Sequence, residues 1–483
     1  MASYTMGEVR IDGDYPVSKL LELSMDVGAN RHGTLTYGGL ADEDDAKRYV
    51  GQGAEKRTVS VSLRDELEFC GYPQAITAEN SDGHCYLRVT LVTSSQLTDI
   101  EPRSRFFQDV DYTYEDMLAE AFDDSGVGGI VAVRGQEWIG EPILQYRETD
   151  WAFTLRMAGR LGTAVFPDVA SSEPQATLGM PKRQAFSETS GAPYFVRRGG
   201  SLLSYRMKGG GRYRLGDSVA MEGSVYAVMR KKLSYEGGEI QEAYTLGTEH
   251  EFAVPSHHNK RIAGLELEGT VLERHEQQMQ VLLDIDSNRK ECGKTWFYYA
   301  PATNNGMYSM PLEDEKVFLQ WQGCVDSEIL IVRPDRKNGS GMPDPGRRHF
   351  LTEHENHLMM VPGKVEFTNP IGHVKWLAGE GFDISTTDNM TLFAGADVNI
   401  RSKAQVRMYS PERIVAQKTD IKSSIDVVRN EIHIKALKDV NIKSAVKSHG
   451  RTTLPERGES FTINATTALK INAAIPQVIN AKK

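Results

Sequence analysis

The sequence predicts a mainly β protein that closes on an intertwined, trimeric β-helix. Three observations carry that expectation. The tripeptide Ile-Asn-Ala occurs at Ile463-Asn464-Ala465, Ile471-Asn472-Ala473 and Ile479-Asn480-Ala481, eight residues apart. The same beat runs upstream through Ile384, Leu392, Ile400 and Met408, and through Met390, Val398, Val406 and Ile414. Most of the remaining chain alternates apolar and polar residues with period two, as strands do. An octad is too short for a helical repeat and fits a short strand plus a tight turn.

Within one octad, Val398 and Ile400 share a strand face while Asp397, Asn399 and Arg401 take the other. Asp397-Val398-Asn399-Ile400 returns as Asp439-Val440-Asn441-Ile442, two residues more than five octads, so the register slips near residues 416–432. Two apolar side chains per strand bury little. Each contributes roughly 1.5–3 kcal/mol, against roughly 1–2 kcal/mol of backbone entropy per ordered residue. Three identical chains about one axis would bury every inward row and pair every edge. The expected needle core is Ile384, Leu392, Ile400, Met408, Ile432, Val440, Ile463 and Ile471.

The 483 residues allow several domains, and 40% hydrophobic with 25% charged residues allows a real core. No apolar run approaches a membrane span, and the N-terminus shows no signal peptide, so synthesis and assembly in the cytoplasm are expected. Cys70, Cys85, Cys292 and Cys324 lack metal-ligand spacing and read as reduced thiols. A net charge of −10 argues against nucleic acid as a partner.

Strands such as Thr58–Leu63 and Tyr86–Val92 fill residues 7–100. Thr113 with Asp116 resembles a capping box, opening a helix whose inward face is Tyr114, Met117, Leu118, Ala121 and Phe122. A second helix starts near Thr149, turns Trp151, Leu155 and Ala158 inward, and stops at Gly162. Strands resume at Ser218–Met221 and Val225–Val228. Five or so strands over about 260–335 suit a small barrel of OB type.

Three segments resemble one family. Arg105-Phe106-Phe107-Gln108, with Tyr112-Thr113-Tyr114 after it, is similar to the "R-x-F-Q … T-Y" approach to the first helix of valine–glycine repeat protein G (VgrG). That protein is the hub-spike of type VI secretion. Gln145-Tyr146-Arg147-Glu148-Thr149-Asp150 and the following Phe153 look like its "Q-Y-R-E-S-D-x-x-F" segment, and Tyr308–Val317 resembles its barrel turn. With the octads behind them, the resemblance spans essentially the whole chain in order.

The resemblance implies a first hub β-barrel at 1–100, a helical connection at 101–165, and a second hub barrel at 166–257. An OB-fold collar at 258–335 and a linker at 336–363 follow. The needle then runs over 364–483, with a polar loop at 447–460. It implies a homotrimer that adapts a hexameric tube to a three-fold needle and punctures the target envelope, touching the membrane only transiently. Implied partners are the inner tube protein, baseplate proteins, effector cargo, and a tip protein of the Pro-Ala-Ala-Arg (PAAR) class. The tip protein would dock on the C-terminal Ile475, Val478 and Ile479, which a blunt prism end would otherwise expose. The particle would carry the chain outward. Relative to that family, neither a lysozyme-like insertion nor an appended effector domain is expected, and the hub reads as compact. The system could therefore be type VI, extracellular, a phage tail or a phage-tail-like bacteriocin.

Enzymatic signals are weak. Gly293-Lys294-Thr295 ends like a phosphate-binding loop, but Asn288 stands where the first glycine belongs. His354-Glu355-Asn356-His357 lacks the spacing of a zinc-protease helix, and His349, His354 and His357 read as solvated linker histidines. One histidine per chain on a three-fold axis is the metal alternative. Asp42-Glu43-Asp44-Asp45 reads as a solvated loop. No cofactor is expected. A trimeric tailspike that binds or cleaves polysaccharide is the competing class, but an octad needle has no room for a carboxylate-lined groove.

Overall fold

The computed structural model describes residues 4–52, 57–125, 128–132, 134–187, 193–199, 202–208, 212–289, 292–301, 309–334, 346–352, 354–417, 424–428, 431–436 and 464–465. The chain divides into two compact units, Met1–Gly341 and Met342–Lys483.

In the first unit one twelve-stranded antiparallel-rich sheet runs through both hub halves. Its two halves join where Lys19–Gly28 pairs with Ser224–Glu236, register Met25↔Leu233. Two-residue turns with both φ positive close four of its hairpins: Arg64-Asp65, Asp82-Gly83, Glu222-Gly223 and Gly237-Gly238. That geometry matches the right-handed twist of the strands it joins, and glycine takes the second position in three of the four. The first half packs Val59, Val61, Phe69, Leu87, Val89, Leu91 and Tyr37 into one core, the inward positions of period-two strands. The second half packs Tyr205, Met207, Val219, Val228, Tyr244 and Leu246.

Among the described residues, three helices of ten residues or more decorate the hub, α1 (Glu43–Gln52), α2 (Tyr114–Ser125) and α3 (Asp150–Leu161), with one further turn at Glu249–Phe252. The run expected to be a solvated acidic loop is instead the first turn of α1. The Asp42 carboxylate accepts from the amides of Asp44 and Asp45 at 3.0 and 3.2 Å, and the acids behind it favour the positive end of the helix dipole. α2 opens on the expected capping box: the Asp116 amide donates to Thr113 Oγ1 at 3.1 Å, and the Thr113 amide donates to Asp116 at 3.2 Å. All five residues of its expected inward face are buried. α3 is capped by Thr149 and ends on Gly162 in the left-handed region, as expected. Its buried side is Trp151, Phe153, Met157 and Ala158, while Leu155 is only partly covered.

The segment expected to form the collar is a five-stranded sheet in the order Trp296–Tyr298, Gln278–Leu283, Glu266–His275, Lys316–Trp321, Ile329–Pro334. A bridge from Tyr299 to Ile331 brings its two edges together, making the small barrel expected there. Gly293-Lys294-Thr295 is loop before the short strand, with Lys294 Nζ 3.0 Å from Asp109.

In the second unit, Arg348–Leu351, His357–Val361, Lys364–Asn369, Gly372–Leu377 and Gly381–Thr386 form an antiparallel meander. Two of these strands lie inside the expected linker. The signal was present: Pro362-Gly363 makes a two-residue turn with Gly363 at φ 78°, the conformation glycine adopts at no steric cost. Residues 387–412 contain no strand. Arg413–Gln417, Ser424–Val428 and Glu431–Ala436 then pair antiparallel, where the octad register was expected to slip.

Candidate assembly interface

The family-like segments meet in a two-stranded ribbon, Arg103–Phe107 paired with Ile143–Glu148. Alternation along each strand splits their side chains between two cores. Phe107 and Ile143 pack on the helices, whereas Phe106 and Leu144 enter the collar barrel. Phe106 sits 6.0 Å from Phe297 and 5.4 Å from Trp321 between ring centroids. Collar carboxylates hold the ribbon backbone: the Phe106 amide donates to Asp286 at 3.2 Å, and the Leu144 amide donates to Asp326 at 3.1 Å.

Buried charges close the joint. Arg156 donates from Nη1 to Asp326 at 2.8 Å and from Nη2 to the Leu144 carbonyl at 2.7 Å, and also pairs with Glu148. Arg105 donates to Gln145 at 2.8 Å and to Asp150 at 2.7 Å. Arg289 bridges Asp286 and Glu120, with its guanidinium 4.6 Å from the Phe107 ring centroid. Burial pushes the Asp286 carboxyl above its usual range, although Arg289 and the Phe106 amide pull the other way. The Arg-Phe-Phe-Gln and Gln-Tyr-Arg-Glu-Thr-Asp segments are thus the weld between hub and collar. Sequence reasoning found the segments but missed Asp286 and Asp326, which carry no local pattern.

The meander has two unlike faces. Register puts Phe350, Leu358, Phe367, Val374 and Ile384 in one cross-strand row, and Met360, Val365, Trp376 and Phe382 in the next. These rows share a face, and Phe350, Phe367, Ile384, Met360, Trp376 and Phe382 are all exposed on it. The first row lines a concavity of about 630 Å³. The opposite face carries His349, His357, His373, Glu366 and Lys375. His349 and His357 sit on paired strands with ring centroids 5.4 Å apart, so they are sheet residues and not linker ones. Among the described residues no cluster of three or more His, Cys, Asp or Glu could hold a metal ion.

The expected needle residues fall in three groups. Ile384 lies on the last meander strand, and Leu392, Ile400 and Met408 follow it with 70%, 64% and 66% of their surface exposed. Their companions Met390, Val398 and Val406 are exposed too. Ile432 lies on the strand Glu431–Ala436, paired with Val427. Val440, Ile463, Ile471 and the tip residues Ile475, Val478 and Ile479 lie outside the described residues.

Among the described residues no helix is long and apolar enough to cross a membrane. No protein-family model and no curated protein matches the chain. Solved structures do. One is the E. coli c3393 protein, described as a component of the type VI secretion system with structural similarity to the T4 bacteriophage tail proteins gp27 and gp5. It matches at TM-score 0.51 and 11% identity, over 68% of this chain and 99% of that one. Another belongs to the Francisella PdpA–VgrG complex, at TM-score 0.50 and 6% identity, over 78% of this chain and 87% of that one. The protein therefore has the VgrG-like hub-spike fold shared by type VI secretion and phage-tail hub proteins.

Proposed function

We propose that this chain is the central hub-spike of a contractile injection system, working as a trimer whose C-terminal needle punctures a target envelope. The observation that carries this reading is the exposure of Leu392, Ile400 and Met408 at eight-residue spacing, in a stretch that pairs with nothing in its own chain among the described residues. Apolar rows this regular are costly in water and are covered when identical chains wind together. The exposed meander face directly before them would close on the same axis.

The role is mechanical. Sheath contraction drives the tube, and the hub passes that force to the needle. The buried ribbon weld suits a part that must not hinge under load. Inner tube and baseplate proteins would bind the hub, and effector cargo would ride with it. A PAAR-type tip protein would cover Ile475, Val478 and Ile479. We assign the protein no hydrolytic chemistry. The test is the mass of the full chain by light scattering. Three chains are expected, and a stable folded monomer overturns the reading.

A further inference from the structure

The second hub half carries a basic trough on its outer face. In one cross-strand row Arg206 neighbours Thr245, which neighbours Arg230; in the next, Lys208, Ala243, Lys232 and Asp26 stand side by side. The alternate residues Tyr205, Met207, Tyr244 and Leu233 are buried, so these rows face solvent. Small residues form the floor and long cations form the two walls, enclosing about 440 Å³.

The charges do not cancel. Asp26 is gripped by Arg31 and by Arg230, whose Nε donates at 2.8 Å, and Lys232 Nζ lies 3.6 Å away. Three cations around one carboxylate leave two in excess. Arg206 and Lys208 are exposed and, among the described residues, join no ion pair. Two further acids border the trough: Glu242 turns inward to Lys231 at 3.4 Å, and Glu236 stands at the hairpin end, where it accepts from Ser234 Oγ at 3.2 Å, so four cations face three carboxylates. This positive wall stands on a chain of net charge −10.

We infer that the trough takes an extended acidic segment of a partner protein, with its carboxylates on Arg206 and Lys208. Two residues along a strand separate those cations by about 7 Å, the repeat of alternate side chains in an extended peptide. The Arg230–Lys232 wall stands two strand spacings across, about 10 Å, which admits one peptide strand. The bidentate grip of Arg230 on Asp26 shows the carboxylate chemistry the wall supports. Duplex nucleic acid is too wide for this cleft, and the chain's overall charge repels its phosphates. The inference stands apart from the spike reading, because every residue in it belongs to one chain's hub.

The test uses the full-length protein and a fluorescein-labelled peptide of alternating glutamate and serine, read by anisotropy. Saturable binding is expected at low salt, lost by about 0.5 M salt because exposed charges are then screened. The double variant R206E/K208E should weaken binding at least about tenfold. R206K/K208R should retain it, and circular dichroism should show both variants folded. A glutamine-for-glutamate peptide should not bind. Absence of peptide binding, or unchanged binding by R206E/K208E, overturns the inference. A labelled DNA duplex that binds more tightly than the peptide overturns it as well.

Discussion

Arg156 Nη1 lies 2.8 Å from Asp326 Oδ2, with side-chain exposures of 1% and 2%, joining a hub helix to the collar barrel across 170 residues of sequence. A buried charge that loses its partner is left in a medium that cannot solvate it. Asp326→Ala should therefore cost about 3–5 kcal/mol of stability, measured by urea unfolding followed at Trp321. Glu43→Ala removes an exposed carboxylate that pairs with Lys47 and sits in the first turn of α1, and should leave stability close to wild type. Similar losses at both sites would show that the weld is not the anchor described.

The octad spacing assigns Ile400 and Asn399 to opposite faces of the proposed needle. In the proposed trimer, Ile400→Asp would bury three like charges on one axis, so the trimer should be lost in light scattering. Asn399→Asp should change stability by less than about 0.5 kcal/mol and leave the mass unchanged. If the two variants behave alike, the face assignment is wrong.

Burial raises the Asp26 carboxyl, but hydrogen bonds and charge from Arg230 and Arg31 outweigh it and hold the group below its ordinary value. A depressed folded pKa stabilises the native state above the unfolded value, about pH 4, and that stability drains as pH falls through the lower folded value. Asp26→Asn should thus destabilise the hub at neutral pH and flatten the acid limb of its stability curve. An acid limb identical to wild type would remove Asp26 from the acid response.

Removing residues 475–483 should abolish capture of a PAAR-type tip protein while leaving the trimer intact. Co-purification and mass report the two outcomes separately. A truncated trimer that still carries the tip protein places the docking surface elsewhere.

Local rules made much of this molecule legible from its sequence. Thr113 with Asp116, and Thr149 with Gly162, start or stop helices through contacts only a few residues long, so they follow from chain order alone. Asp42 before three acids was an equally local cap signal. Pro362-Gly363 was a turn signal inside a segment expected to be linker. Both were misread because polar composition outweighed the specific turn chemistry. The octad period is likewise a property of spacing.

Other features were decided only in three dimensions. Nothing near Asp286 or Asp326 distinguishes them from loop acids; they matter because the fold brings the amides of Phe106 and Leu144 within 3.2 Å, from 180 and 182 residues away. The split of Phe106 from Phe107 between two cores also depends on what packs on each side of the ribbon. The basic trough needs the register of three strands to align Arg206, Arg230, Lys208 and Lys232. Sequence determines short-range hydrogen bonding and the periodicity of burial. Tertiary structure determines which distant charges lose their water together, and so which of them become anchors.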